Sequence, residues 1–219
     1  ADSGGFSELS LFGEWRTQPS VYAAEVRRYA QEIGQLQWAA VQDWMCEPFI
    51  CAKTGYSVAE HQGRTIASYE RLRELEPELP WAPVLQGWEP ADYLRHVEMY
   101  ERCGIDLRKQ KIVGIGSVCR RQATAEAEKV IRELSGMGIR LHGFGFKILG
   151  LTRVWDALVS SDSMAWSFDA RRADPLPECR GVHKTCANCH RYAVLWLGKV
   201  VSTVAAKRYQ RDTQMCLFG

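Results

Sequence analysis

What most limits how this chain can fold is a repeated unit: a short apolar or β-rich segment, a polar residue at its end, then a longer amphipathic stretch. The short segments read as strands at Gln37 to Asp43, Trp81 to Gln86, Lys111 to Gly116, Arg140 to Phe144 and, less regularly, Ser163 to Trp166. Between them the spacing of apolar residues predicts helices over Pro19 to Leu36, Ser57 to Glu76, Pro90 to Cys103, Thr124 to Met137 and Arg153 to Val159. Ser57 and Glu60 form a capping-box pattern, Thr124 precedes Ala125-Glu126-Ala127-Glu128, and Gly104 and Gly138 stand where helices should stop. Strands that alternate with helices at roughly 30-residue spacing imply a parallel sheet with right-handed crossovers. A (β/α)8 barrel and a doubly wound open sheet both meet that condition. The strand ends favour the barrel. Asp2 and Ser3, Gln42 and Asp43, Gln86 and Gly87, Gly114 to Ser117, His142 to Lys147, and Asp162 would all converge on one mouth, whereas an open sheet gathers its ligands at one switch point.

With 219 residues, 46% hydrophobic and 25% charged, the composition is that of a folded domain with a sizeable core. No apolar run approaches the ~18 residues of a membrane span, and the first residues carry no basic-then-apolar leader, so a cytoplasmic location is expected. The chain begins without Met on a turn-like Asp2-Ser3-Gly4-Gly5, which should follow a strand; we therefore expect an N-terminally truncated barrel. Charge is unevenly distributed. From Arg171 to Arg211 nine Lys/Arg stand against two Asp/Glu, which leaves 19 basic and 24 acidic residues elsewhere out of 28 and 26. A basic element beside a mildly acidic body suits a phosphate-bearing partner, although a solvated basic helix gives the same count.

Eight cysteines in such a chain point to thiols or metal rather than disulfides. Cys46, Cys51, Cys103 and Cys119 are scattered, as buried thiols are. Cys179, Cys186 and Cys189, with His183 between, have the spacing of a four-ligand structural zinc site; His190 and Cys216 compete with His183 for the fourth place. Gly114-Ile115-Gly116 lacks the third glycine of a dinucleotide fingerprint, and no phosphate loop or nucleophile elbow is present.

The opening Asp2-Ser3-Gly4-Gly5-Phe6 with Ser10-Leu11 resembles the signature of tRNA-guanine transglycosylases. Asp43 with Cys46 and Pro48, Leu85-Gln86-Gly87, Gly114-Ile115-Gly116-Ser117-Val118, and Asp162 through Ala170-Arg171 resemble further pieces of that family, in its order. The wording Gln42 to Pro48, Gly116 to Arg121 and Asp162 to Ser167 is more similar to the deazapurine DNA modification proteins, the DpdA branch. The resemblance implies a (β/α)8 catalytic domain over residues 1–172 and a zinc-binding, basic, helical subdomain over 173–219. It also implies exchange of guanine for a 7-deazaguanine in DNA, with transfer to tRNA or an inactive nucleic-acid-binding relative as alternatives.

Base exchange on a sugar passes through an oxocarbenium-like transition state, so it needs a carboxylate to trap the anomeric carbon and an acid/base group for the departing base. The resemblance assigns these to Asp162 and Asp2; without it, a strand-end Asp is more often a helix cap. A guanine-like edge offers two donors and an acceptor. Asp43 can receive the donors, Gln86 and the Gly116-Ser117 backbone can serve the acceptor, Phe6 can stack, and Ser3, Gly4 and Gly87 complete the pocket segments. Gln86 can equally be a buried amide tying strands together. Arg120, Arg121, Arg171 and Arg172 are candidates for phosphate contacts. Expected partners are DNA ahead of tRNA, a 7-deazaguanine base, and further proteins or a second copy of the chain.

Overall fold

A computed structural model describes the backbone of residues 1–218 and the side chains through Tyr209. It is a mixed α/β structure with parallel sheets. Among the described residues six very short strands are formed, β1 (Ala39–Ala40), β2 (Trp81–Ala82), β3 (Val84–Leu85), β4 (Val113–Ile115), β5 (Leu141–Gly143) and β6 (Ser160–Ser161). β1 pairs with β2, and β3, β4, β5 and β6 pair in that order, every pair parallel. Pro83 alone separates β2 from β3. It has no N–H for a ladder, yet its carbonyl accepts from Gly114 N–H at 2.9 Å while Ala82 O accepts from Val41 N–H at 3.3 Å. One stretch, 81 to 85, therefore joins the two sheets. Ala1 extends the arc on the other side: its amino group donates to Trp38 O and its carbonyl accepts from Ala40 N–H.

The arc is strongly curled. In a flat sheet β1 and β5, three pairings apart, would lie about 14 Å from each other. Yet the Trp38 ring, just before β1, meets the His142 ring of β5 edge-on with centroids 4.6 Å apart. Among the described residues the strands do not close into a ring, so the full barrel expected from the sequence is not formed by these pairings. The strand order, each strand beside the next in sequence, is the order a barrel requires.

The helices are α1 (Gly5–Phe12), α2 (Pro19–Glu32), α3 (Pro48–Thr54), α4 (Val58–Leu75), α5 (Pro90–Arg102), α6 (Ala125–Gly136), α7 (Ile148–Val154), α8 (Ala165–Ala170) and α9 (His190–Phe218). α5 buries Tyr93, His96, Val97 and Tyr100, and α6 buries Ala127, Val130, Ile131 and Leu134, the same i, i+3, i+4, i+7 stripe in each. These stripes pack on Leu85, Ile115 and Leu141 in one main core. The expected caps are present: Ser57 and Glu60 exchange both capping-box bonds, and Thr124 Oγ1 accepts from Ala127 N–H.

Two expectations need correction. Ser163 to Trp166 is not a strand; β6 ends at Ser161 and α8 starts at Ala165, whose N–H donates to Ser163 Oγ at 3.1 Å. β6 is partly exposed and built from two serines, so it carries no apolar signal. The helix placed at Arg153 to Val159 instead spans Ile148–Val154. Gly150 weighs against a helix there, but a Cβ at that position would collide with the Gln122 side chain, so close packing requires the glycine.

Candidate active site

Because the strands are parallel, their C-terminal ends share one side of the arc, and a cavity of about 290 Å³ opens there. Its lining draws on nearly every strand end: Asp2, Phe6, Asp43, Gln86, Gly116, Ser117 and Asp162 are joined by Met45, Cys119, Phe144 and Met164. Seven of the residues singled out from the sequence thus meet in one place. A volume of this size suits a single flat ring system.

Asp43 follows β1 and is almost fully buried. Its Oδ1 accepts from Ser3 Oγ at 3.2 Å and its Oδ2 accepts from the Gln86 amide. Burial, reinforced by the charge of Asp2, pushes its carboxyl up to about 7. Gln86, at the end of β3, is wholly buried; its Oε1 accepts from Ser117 Oγ at 2.6 Å. Gln86 therefore does tie neighbouring strand ends together, and it lines the cavity while doing so. Gly116 is required by contact: a Cβ there would run into the Gln86 amide. Its N–H is taken by Leu85 O and its carbonyl by Tyr93 Oη, so that backbone donor is already engaged.

The two aspartates assigned to chemistry have opposite electrostatics. Asp162, half exposed at the mouth, is pushed upward by partial burial. The His142 imidazole at 3.7 Å and the Gly145 N–H at 2.7 Å outweigh this and hold its carboxyl below the ordinary range. Asp2 is raised, first by desolvation and then by the charge of Asp162, against the N–H groups of Ser3 and Gly4. Two carboxyls driven apart in this way are the arrangement expected for an ionised nucleophile beside a protonated acid. His142 is buried, its Nδ1 2.8 Å from Ser160 Oγ, and it owes its place to the curl that brings Trp38 and Phe144 against it.

Of the remaining sequence candidates, Gly4, Gly87 and the four arginines lie outside this lining, whereas Phe6 is part of it. Gly4 is the left-handed residue that starts α1 (φ 81°), and Gly87 packs against Asp92 and Tyr93. Phe6 is 47% exposed, with the Arg120 guanidinium 5.4 Å from its ring and 4.7 Å from that of Phe49. Arg121 is turned inward, donating to Trp88 O and covering the Trp88 ring at 4.4 Å. Arg171 and Arg172 are exposed just after α8, Arg172 over Phe168. Sequence reasoning passed over Phe144, Cys119 and Met164 as cavity walls. Phe144-Gly145 directly after β5 was the available signal, since a residue following a strand end points into the mouth.

Near the C-terminus, ligand atoms of Cys179, His183, Cys186 and Cys189 lie within 4.8 Å of one another. Cys179 Sγ is 3.9 Å from Cys189 Sγ, and His183 Nε2 is 3.2 Å from Cys186 Sγ. Zinc–sulfur bonds of about 2.3 Å at tetrahedral angles place thiolates about 3.8 Å apart, so the set fits a metal ion such as zinc. The neighbouring thiols split: Cys189 is lowered by the N–H groups of Tyr192 and Arg191 at the start of α9, while burial and the adjacent thiols push Cys179 up to about 11. His190 is not in the group, and the side chain of Cys216 lies outside the described residues. No helix among the described residues is long and apolar enough to cross a membrane.

Compared with known families, the chain matches the one described as DpdA, DeoxyPurine in DNA protein A, over residues 1–218. No curated protein matches it.

Proposed function

Since this chain belongs to the DpdA family, we propose that it is a DNA-modifying transglycosylase that exchanges guanine for a 7-deazaguanine through a covalent bond to Asp162. The observation that carries the reading is the pair of carboxyls with opposed shifts, Asp162 lowered and Asp2 raised, on a cavity floored by Asp43 and Gln86. In this reading an Asp162 oxygen bonds to C1′ of the deoxyribose as the bond from C1′ to guanine N9 breaks, and Asp2 gives the departing base its proton. Asp2, now ionised, takes the N9 proton of the incoming 7-deazaguanine, whose nitrogen displaces Asp162 from C1′. Asp43 receives the N–H donors of the base edge, and Phe6 and Phe144 cover its faces. In duplex DNA the target nucleotide must first leave the stack, at a cost of a few kcal/mol. Exposed Arg120, Arg171 and Arg172 and the basic α9 supply phosphate contacts for that step.

The same reading takes the curled arc as part of a (β/α)8 barrel over residues 1–172. Residues 173–219 form a subdomain in which zinc on Cys179, His183, Cys186 and Cys189 has a structural role. The test is incubation of the protein and radiolabelled 7-cyano-7-deazaguanine with DNA and, separately, with tRNA. Label in DNA is expected; label only in tRNA would replace the polymer, and label in neither would leave a nucleic-acid-binding relative without turnover.

A further inference from the structure

Glu47, at the start of α3, is a buried carboxyl to which the exchange chemistry gives no task. It is 1% exposed; its Oε2 lies 2.7 Å from Ser117 Oγ, and its Oε1 has no hydrogen-bond partner among the described residues. Ser117 itself is held in the left-handed region (φ 55°), which costs a residue with a Cβ some strain, and it is the one non-glycine with positive φ among the described residues. That strained backbone places its hydroxyl at a junction. Ser117 Oγ accepts from Cys46 N–H at 2.8 Å and also contacts Glu47 Oε2 and, at 2.6 Å, Gln86 Oε1. Beyond Gln86 the chain continues through its amide to Asp43 Oδ2.

Counting protons along this chain gives a definite result. A serine hydroxyl donates once and accepts twice. Cys46 N–H takes one acceptor position, so of the two remaining contacts one must be a donation from Ser117 and the other a donation to it. If Ser117 donates to Gln86 Oε1, Glu47 must carry a proton and donate to Ser117; the Gln86 amide nitrogen then faces Asp43, which is ionised. If the amide is reversed, Gln86 donates to Ser117, Ser117 donates to an ionised Glu47, and Asp43 must carry the proton. Either way the chain holds one proton more than two free carboxylates would. The surroundings decide where it sits. An ionised Glu47 would leave a charged, unpartnered oxygen wholly buried, whereas Asp43 receives Ser3 and Gln86 and borders the cavity. The charged groups acting on the two ends, Arg120 and Arg121 at Glu47 and Asp2 at Asp43, pull the proton towards Asp43; burial outweighs the arginines and leaves the Glu47 carboxyl raised.

We propose that Glu47 is a positioning residue for base selection: in its protonated form it fixes Ser117 and the Gln86 amide so that Asp43 presents an ionised acceptor to rings bearing N–H donors on their pairing edge. This deepens the proposed function and rests on it for the identity of the ring. The proton itself can be tested without any substrate. Infrared spectra near neutral pH of protein carrying ¹³C-carboxyl glutamate should show an isotope-shifted carbonyl band of an un-ionised acid, lost in Glu47→Gln. A glutamate acid band that is absent, or that survives Glu47→Gln, would overturn the proposal.

Calorimetry with 7-cyano-7-deazaguanine and with 7-deazaadenine tests selection. Gln at position 47 can still donate to Ser117, so Glu47→Gln should keep affinity for the deazaguanine within about threefold, while Glu47→Ala should lose at least tenfold and discriminate less between the rings. Equal loss in both variants, or none in Glu47→Ala, would defeat the positioning role. If the wild-type protein binds neither ring, the guanine-site reading falls, and with it base selection by Glu47, while the glutamate band still decides where the proton lies.

Discussion

The cavity and the cysteine cluster are both polar groups set against apolar walls, yet they are held in opposite ways. Asp43, Gln86 and Ser117 stand on strand ends backed by the main core of Leu85, Ile115 and Leu141. Their geometry is fixed by backbone register and by hydrogen bonds to one another. Cys179 and Cys186 share a satellite cluster with only Ala170 and the partly buried Leu176, Cys189 and Tyr192. So little apolar burial cannot order a loop, whereas a metal ion can. Packing positions one region; the other carries a Cys/His set that could hold a metal ion, and on the reading proposed above coordination positions it.

Removing the metal should therefore separate the two regions, and its effect should be the largest. Structural zinc contributes on the order of 10 kcal/mol to the segment it orders. Strong chelation, or Cys186→Ser, should release about one equivalent of zinc and open the chain between residues 173 and 190 to protease, while the core around α5 and α6 stays protected. Metal content that does not change on Cys186→Ser would end the coordination account. Asp162→Asn should act in the opposite sense, leaving metal and melting temperature in place while exchange falls by about 10⁴-fold and no adduct with DNA can be trapped. An adduct that survives would move the nucleophile elsewhere.

A smaller effect concerns the buried proton. Burial lifts Asp43 from an ordinary 3.8 to about 7 and raises Glu47 as well. A carboxyl whose folded value lies above its unfolded value keeps a proton that the unfolded chain releases, so its contribution to stability is full at low pH and is lost as pH rises from about 4 to about 7. For a shift of that size the loss is at most about 4 kcal/mol. Denaturant titrations across this range should show the fall in the wild-type protein and a flatter profile in the Asp43→Asn, Glu47→Gln double variant. Least of all, Thr124→Ala removes a cap that lines neither the cavity nor the cysteine cluster and should cost about 1 kcal/mol without altering metal content or base binding; a change in either would show that region to be coupled to the start of α6.

Much of the site was legible because its residues sit at predictable places. Asp43, Gln86 and Gly116 each follow an apolar segment, and parallel strands must bring such ends to one face. The cluster of Cys179, His183, Cys186 and Cys189 was legible from spacing, since a short Cys-x2-Cys knuckle can set two thiolates on one ion. β6 was not, because two partly exposed serines carry no strand signal, and α7 was misplaced because Gly150 answers to Gln122 rather than to helix propensity. Nor could Glu47 be found: in sequence it is a polar residue before a proline, indistinguishable from an exposed turn.

The sequence by itself determined the alternation of strands and helices, hence parallel pairing and a shared mouth, because apolar periodicity and caps act over a few residues. Only the tertiary structure decided how far the arc curls, which carboxyls become neighbours and which are stripped of water. Those depend on contacts between residues as far apart as Trp38 and His142, or Glu47 and Ser117. The charge state of a carboxyl is set by such surroundings, and so the opposed shifts of Asp2 and Asp162, and the proton held between Glu47 and Asp43, exist only in the folded chain.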